Sequence, residues 1–516
     1  MQQAPLSILI LGGGAAGWLT AAVIAAEHGR AQGGQCEIAL VESPDIPTIG
    51  VGEGTWPSMR ETLRRIGLSE HRLFNECEAS FKQGSLFSAW RTADPKDSYY
   101  HPFSLPHGYF EQDLAYFASE NYAYAVTPQA AISDMYLAPK QLATPEYAGV
   151  LNYGYHFDAV KFGILLRDHC TRTLGVHHIS SRIASIEGNG GRVTALVSES
   201  EERLTADLFV DCSGSAAMII GDFLKVPWID RSDVLFNDRA LAVQIPHPSP
   251  DAPIASVTRS TARSNGWIWD IGLPSRRGMG YVYSSQFISA SEVEADFRQF
   301  LTSSGAVDTN VQLNFRELQF APGYRSAMWQ GNCVAVGMAA GFIEPLEASA
   351  LALIEQGAGL IRDFLPANSG QMTIAEKRFN KQMLAHWESI IDFLKLHYVL
   401  SQRTDSEYWL AHRREESSTD SLLENLTIWR HRAPAKQDFP QALPLFPPAS
   451  YRFVLHGMGY ACDLARAPRK DRDKVRSKIL LDEVQKQLAS YRLGLPENRV
   501  LLRQLTSRNR TGVQTS

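Results

Sequence analysis

The 516-residue chain predicts an α/β fold built on a parallel sheet. The first observation is Leu6-Ser7-Ile8-Leu9-Ile10-Leu11, a continuous apolar run expected of a strand buried on both faces. The second lies immediately C-terminal to that run: Gly12-Gly13-Gly14-Ala15-Ala16-Gly17, a helix-like stretch over 18–26, and another apolar strand over 36–41 that ends on Glu42. The third is a pair of later apolar segments, 206–210 and 333–336, each closing in a small-residue turn. Both predict strands that return to the same sheet, so the N-terminal unit is not expected to be detachable.

In the first unit, Gly12, Gly14 and Gly17 spell GxGxxG between strand and helix, and Glu42 stands 25 residues after the last glycine. This arrangement suits a dinucleotide. Glycines let the backbone approach a pyrophosphate, the helix N-terminus supplies partial positive charge, and the acid accepts from ribose hydroxyls. The competing reading is a tight turn that serves only helix–strand packing.

Beyond the second strand the signals change. Residues 227–325 lack strong helical periodicity and contain strand-like pieces such as Met279-Gly280-Tyr281-Val282-Tyr283-Ser284-Ser285, which suggests an inserted sheet on the substrate side. Within it, Gly266-Trp267-Ile268-Trp269-Asp270-Ile271-Gly272 would place Trp267, Trp269 and Ile271 on one face of a strand as a broad apolar wall. After Thr373, the residues Phe379, Met383, Trp387, Ile391, Leu394 and Tyr398 recur at helical spacing. Proline-rich punctuation near 440–448 and a last helix over about 471–492 complete the pattern. The expected organisation is a discontinuous cofactor-binding body over 1–370, with the inserted sheet at about 227–325, and a mainly helical region over 371–516 that covers the substrate pocket. The mixed-charge run 469–478 reads as a solvated helix face.

Composition narrows the function. The chain is 44% hydrophobic and 20% charged, as in ordinary globular proteins. A net charge of −5 offers no attraction for nucleic acid or an anionic membrane. Six scattered cysteines form no CxxC pair and no metal-ligand spacing, so buried free thiols and no metal are expected. The opening residues lack a signal-peptide pattern and no apolar run is long enough to span a bilayer, so a cytoplasmic protein is expected.

Several further stretches carry a resemblance. They are GGGAAGW at 12–18, PTIGVGEGTWP at 47–57, ASFKQG at 79–84, YHFDA at 155–159, DCSG at 211–214, GWIWDI at 266–271 and GFIEPLEAS at 341–349. In this order and over most of its length, the chain resembles the flavin-dependent halogenases, the group called tryptophan halogenases. The resemblance implies a Rossmann-like flavin monooxygenase/halogenase fold. It also implies reduced FAD from a separate flavin reductase, a halide ion, and hypohalous acid directed onto an electron-rich aromatic such as indole or tryptophan. A homodimer is compatible with this reading.

It also assigns residues. On its own surroundings Lys82 reads as a lysine reaching water from a helix. By resemblance it is the active-site lysine that guides hypohalous acid, by hydrogen bonding or as a transient haloamine. Glu347, which otherwise reads as a carboxylate at a helix start, becomes the second catalytic residue. Family members commonly follow it with Ser-Thr-Gly, whose last two amides hold the halide. Here Ser349 and Ala350 take those places after Ala348. The flavin contacts carried over are Gly12, Gly13, Gly14, Ala16, Gly17, Glu42, Asp45, Thr48, Gly50, Glu53, Ile183, Met338 and Leu351. His101 and Phe103 match rings that sandwich an indole, while Trp267 and Trp269 match a wall between flavin and substrate. Gly272 departs from the family, where proline is common. The C-terminal tyrosines and glutamate that grip the amino-acid group of tryptophan have no match here. A single-component FAD-dependent aromatic hydroxylase of the same fold is the alternative, and a flavin-binding protein without activity is the third reading.

Overall fold

The computed structural model describes residues 6–45, 52–114, 121–308, 312–366, 369–441, 443–461, 463 and 468–507. Strand β1 (Leu6–Leu11) runs into helix α1 (Ala15–His28), and strand β2 (Cys36–Glu42) returns beside β1 in parallel. The six-stranded sheet that contains them runs in the order Trp329–Gln330, Cys333–Ala335, Leu208–Asp211, β1, β2, His177–Ser180. Every neighbouring pair is parallel except the one at the Trp329–Gln330 edge. Both later strands predicted from the sequence therefore join β1 in one sheet. Helix α1 is buried along most of its length, and its alanines let it pack closely between helices Ala159–Arg172 and Ser349–Asp363.

A seven-stranded sheet forms the second layer, in the order Arg316–Gln319, Arg239–Pro246, Arg276–Tyr283, Gly266–Gly272, Thr258–Arg263, Gly84–Ser88, Ser98–Pro102. Five of these strands come from the expected insertion. The other two come from much earlier in the chain, with Gly84–Ser88 pairing in parallel with Thr258–Arg263. The tryptophan strand is central. Trp267, Trp269 and Ile271 enter the main core, while Ile268 enters a separate cluster with Val293, Phe297 and Leu301 of helix Ala290–Ser303. A Cβ at position 280 would lie 2.0 Å from a ring carbon of Trp269, so only glycine there leaves room for the indole.

Between the layers lies a small antiparallel sheet of Gly52–Gly54, Gly154–Asp158 and Ser80–Lys82. Lys82 is thus on a strand, not on the helix that its neighbours suggested. Its side chain is fully buried instead of reaching water.

The C-terminal region is helical, as expected. Helix Ser369–Val399 buries Phe379, Met383, Trp387, Ile391, Leu394 and Tyr398, and helix Pro448–Gly457 packs on strand Ser98–Pro102. Helix Lys474–Gly494 is capped by Asp473, which accepts from the Val475 and Arg476 amides. The run 469–478 is not wholly solvated: Asp471 is buried and accepts from the Asp113 amide at 2.8 Å. Among the described residues the five cysteines are free and buried, and no helix is long and apolar enough to cross a membrane. Cys462 lies outside the described residues.

Candidate active site

A cavity of about 640 Å³ opens where β1 and β2 end and α1 begins. Gly12, Gly13, Gly14, Ala16, Glu42, Glu53, Ile183, Met338 and Leu351 line it, along with Ser349 and Ala350. The glycines have different duties. Gly12 has φ +114° and passes so close to the next strand that a Cβ would lie 2.3 Å from the Cys212 carbonyl oxygen. A Cβ on Gly13 would fall 1.5 Å from Glu42 Oε2, so that glycine brings the carboxylate against the turn. A Cβ on Gly14 would meet nothing within 4 Å.

Gly14 is also the N-cap of α1 and makes no side-chain cap bond, so the first amides of the helix keep their donors for an anion. An open cradle of backbone donors with a carboxylate at the end of β2 fits a flavin dinucleotide.

Two expected contacts fall elsewhere. Gly17 does not line the cavity, and its missing Cβ lets α1 pass the Gly12 carbonyl, which that Cβ would approach to 1.9 Å. Asp45 does not line it either. Thr48 and Gly50 lie outside the described residues. The lining also includes Arg182, Ser213 and Trp387, which sequence reasoning did not single out. The small-residue turn after strand Leu208–Asp211 was the available signal for Ser213.

On the far side of the small sheet, Lys82 is fully buried and its Nζ has no hydrogen-bond partner among the described residues. A Cβ on Gly54 would lie 3.1 Å from that nitrogen, so glycine keeps the approach to the ammonium open. Burial pulls the Lys82 pKa down to about 8, against the charges of Glu347 and Glu53, which favour the ammonium. Glu53 lines the cavity and is itself pushed up to about 7 by burial, with Lys82 opposing the rise.

Glu347 sits at the entrance to helix Ser349–Asp363 with φ +63°, and Ala348 follows with φ +55°. Two consecutive left-handed residues are costly without glycine. They turn the Glu347 side chain away from the helix end and into the interior, so it makes no cap. Its Oε1 meets His101 Nδ1 at 2.6 Å, and its Oε2 accepts from Ser85 Oγ at 3.0 Å. Trp56 Nε1 donates to its backbone carbonyl at 2.7 Å. Burial would raise the Glu347 pKa, but the His101, His397 and Lys82 side chains hold it below the ordinary carboxylate value.

The aromatic side is dense. His101 lies 5.6 Å from Phe393 and 6.3 Å from both Phe446 and Phe453, measured between ring centroids. Phe103 lies under Lys82, with Nζ 5.4 Å from its centroid. His101, expected only among the rings, is thus also bonded to Glu347. Behind the tryptophan wall, the buried Glu344 accepts at Oε2 from Trp267 Nε1 at 2.8 Å, Tyr398 O–H at 2.7 Å and Asn237 Nδ2 at 2.7 Å. Glu344 and Glu347, three residues apart, therefore face different partners. Sequence reasoning gave no site role to Ser85, Tyr99, Asn237, His397 or Tyr398; Tyr398 was marked only by its place in the apolar stripe of the long helix.

Comparison with known proteins agrees with this architecture. The model of a family described as tryptophan halogenase matches residues 7–470. The tryptophan 7-halogenase RebH of Lentzea aerocolonigenes is 31% identical over 496 residues, spanning 90% of this chain and 91% of RebH. A tryptophan halogenase from Shewanella frigidimarina, known as a crystal structure, is 45% identical with a TM-score of 0.92 over 98% of each chain. BrvH, a flavin-dependent halogenase from Brevundimonas sp. BAL3, is 30% identical with a TM-score of 0.82, covering 97% of this chain and 99% of its own.

Proposed function

Since the chain belongs to the tryptophan halogenase family, we propose that Lys82 and Glu347 carry out electrophilic halogenation of an indole-type ring, using oxidant made in the adjoining cavity. The protein is a flavin-dependent halogenase. The observation that carries the assignment is the Lys82 ammonium, buried without a hydrogen-bond partner among the described residues and influenced by two carboxylates. An ammonium kept this way is costly unless a ligand completes it.

The amides at the start of α1, Gly13 and Gly14 would hold the FAD pyrophosphate, and Glu42 would take the ribose. Reduced FAD from a separate reductase would supply there, with oxygen, the oxidising power that turns halide into hypohalous acid. The amides of Ser349 and Ala350 hold the halide at the cavity wall. Lys82 donates to the oxygen of hypohalous acid and presents its halogen to the ring. The halogen–oxygen bond breaks as the halogen joins a ring carbon, and the hydroxyl leaves as water with a proton from the Lys82 ammonium. The ring then loses its own proton to the Glu347 carboxylate, which His101 and Ser85 keep in place. His101 and Phe103 would flank the ring, and Trp267 and Trp269, which do not line the flavin cavity, would form the wall on its far side.

The substrate is an electron-rich indole, with tryptophan the family precedent. Arg452 in helix Pro448–Gly457 is paired with Asp113 at 3.5 Å and donates to the Pro434 carbonyl at 3.1 Å. The test combines purified protein, a flavin reductase, FAD, NADH and bromide or chloride with tryptophan, indole and a small phenol and pyrrole panel, read by mass spectrometry. Halogenated indole or tryptophan is expected, and oxygenated products alone across the panel would overturn the proposal.

A further inference from the structure

Glu347 is approached by a second histidine. His397, in the last turn of helix Ser369–Val399, is fully buried and places Nε2 3.5 Å from the same Oε1 that His101 contacts, an electrostatic contact in which Nε2 makes no hydrogen bond among the described residues. Its ring stacks on Phe87 at 4.6 Å, with Phe393 edge-on at 5.3 Å. Its other nitrogen, Nδ1, lies 2.5 Å from the hydroxyl of Tyr99, two residues before His101 on the same strand.

This contact determines where the proton sits. If Tyr99 accepted from an Nδ1–H, the neutral ring would turn a lone pair on Nε2 toward a carboxylate oxygen. If Tyr99 donates to Nδ1, the ring proton is on Nε2 and faces that oxygen. Only the second arrangement is attractive. Burial keeps both groups neutral: it pulls the His397 pKa down to about 3 and raises that of Tyr99 well above its ordinary value.

We propose that Tyr99 and His397 are positioning residues for Glu347. The Tyr99 hydroxyl locks His397 as the Nε2–H tautomer, and that N–H joins His101 in keeping Glu347 ionised and in place as proton acceptor. The inference rests on the role proposed above for Glu347. The polar and charged groups facing that carboxylate are His101, Ser85, Lys82 and His397, from four different segments. Those facing His397 are Tyr99, His101 and Glu347. With the His397 donor gone, the Glu347 pKa rises. The carboxylate must be unprotonated to accept, so activity is then lost at a higher pH as the solution is acidified.

The experiment compares pH profiles of kcat/KM for wild type, Tyr99→Phe, His397→Leu and His397→Gln with reductase in excess. The acid limb should move up by about one unit in His397→Leu and by about half a unit in Tyr99→Phe. His397→Gln, whose side-chain amide retains an N–H, should recover part of the shift. Nitrogen-15 NMR of histidine-labelled protein without turnover, assigned by difference against His397→Gln, should find His397 protonated at Nε2 and bare at Nδ1. An acid limb unmoved in both Tyr99→Phe and His397→Leu, or a proton on Nδ1, overturns the proposal. Failure of the wild type to halogenate would sink the function itself. A halogenating wild type with unshifted variants would sink only this inference.

Discussion

The two halves of the site are built by opposite means. The end of the large cavity at the start of α1 is shaped by backbone, through glycines, helix amides and strand ends, while side chains such as Arg182, Met338 and Trp387 line the rest. The Lys82–Glu347 pocket is shaped by side chains from the small sheet, the large sheet, the turn before helix Ser349–Asp363 and the long C-terminal helix. A backbone site tolerates most side-chain changes but not an added Cβ in the wrong place. A side-chain site depends on each functional group, and its backbone requirements are local: the turn at Glu347 and the glycine at position 54 beside Lys82.

That contrast can be broken most directly at the lysine. Lys82→Ala should lower halogenation by about three orders of magnitude while flavin affinity, read by fluorescence quenching, stays within about twofold. Matching losses in both would mean that the halves are not separable. The reverse holds for Gly13→Val, where the new side chain must displace Glu42: flavin affinity should fall about tenfold or more, with activity recovering as flavin is raised. Gly14→Ala sharpens the point, since its Cβ would meet no protein atom within 4 Å. Its melting temperature should stay within a degree or two of wild type while flavin binding weakens.

The pH profile tests the side-chain half alone. Burial depresses the Lys82 pKa to about 8, so the ammonium is lost as pH rises through that value. On the hydrogen-bonding reading, kcat/KM should fall about tenfold per unit above it. A rise with pH through the same range would instead mark the free amine as the reactive form. The smallest expected effect is at Glu344→Gln, which replaces an acceptor of three hydrogen bonds with an amide and should cost about 1–3 kcal/mol of stability, measured by denaturant unfolding. Rates should change only about two- to fivefold, with more oxidant lost unproductively as Trp267 loosens.

The same division decides what the sequence could tell. The backbone half was largely legible, because a strand, a glycine turn and a helix are local patterns whose consequences are local. Gly12, Gly13 and Gly14 sit where their spacing put them. Gly17 was read as a ligand contact when it serves close packing, a distinction that needs the position of the Gly12 carbonyl in three dimensions. The side-chain half was legible only through resemblance. Lys82 among apolar neighbours reads as a surface lysine, since nothing local reveals that residues 154–158 will pair with its strand and that 52–54 will complete the sheet on their other side. Ser85 and Tyr99 lie within three residues of Lys82 and His101, but their meeting with Glu347 and His397 comes only from the folded topology. Five strands of the large sheet lie within residues 227–325, and its two earlier strands carry no local signal of joining them.

Those two strands bear on how the protein is made. Ser85 pairs with Thr258, so strand Gly84–Ser88 leaves the ribosome long before its parallel neighbour exists. At about 5–20 residues per second, those 173 residues (258 − 85) take roughly 10–35 s to synthesise. Throughout that interval the nascent chain carries an unpaired edge with Phe87 beside it, and Lys82 lies two residues before that edge. The hairpin with Ser98–Pro102 closes only the opposite edge of that strand, so the edge meant for Thr258–Arg263 stays open until the later strand is made.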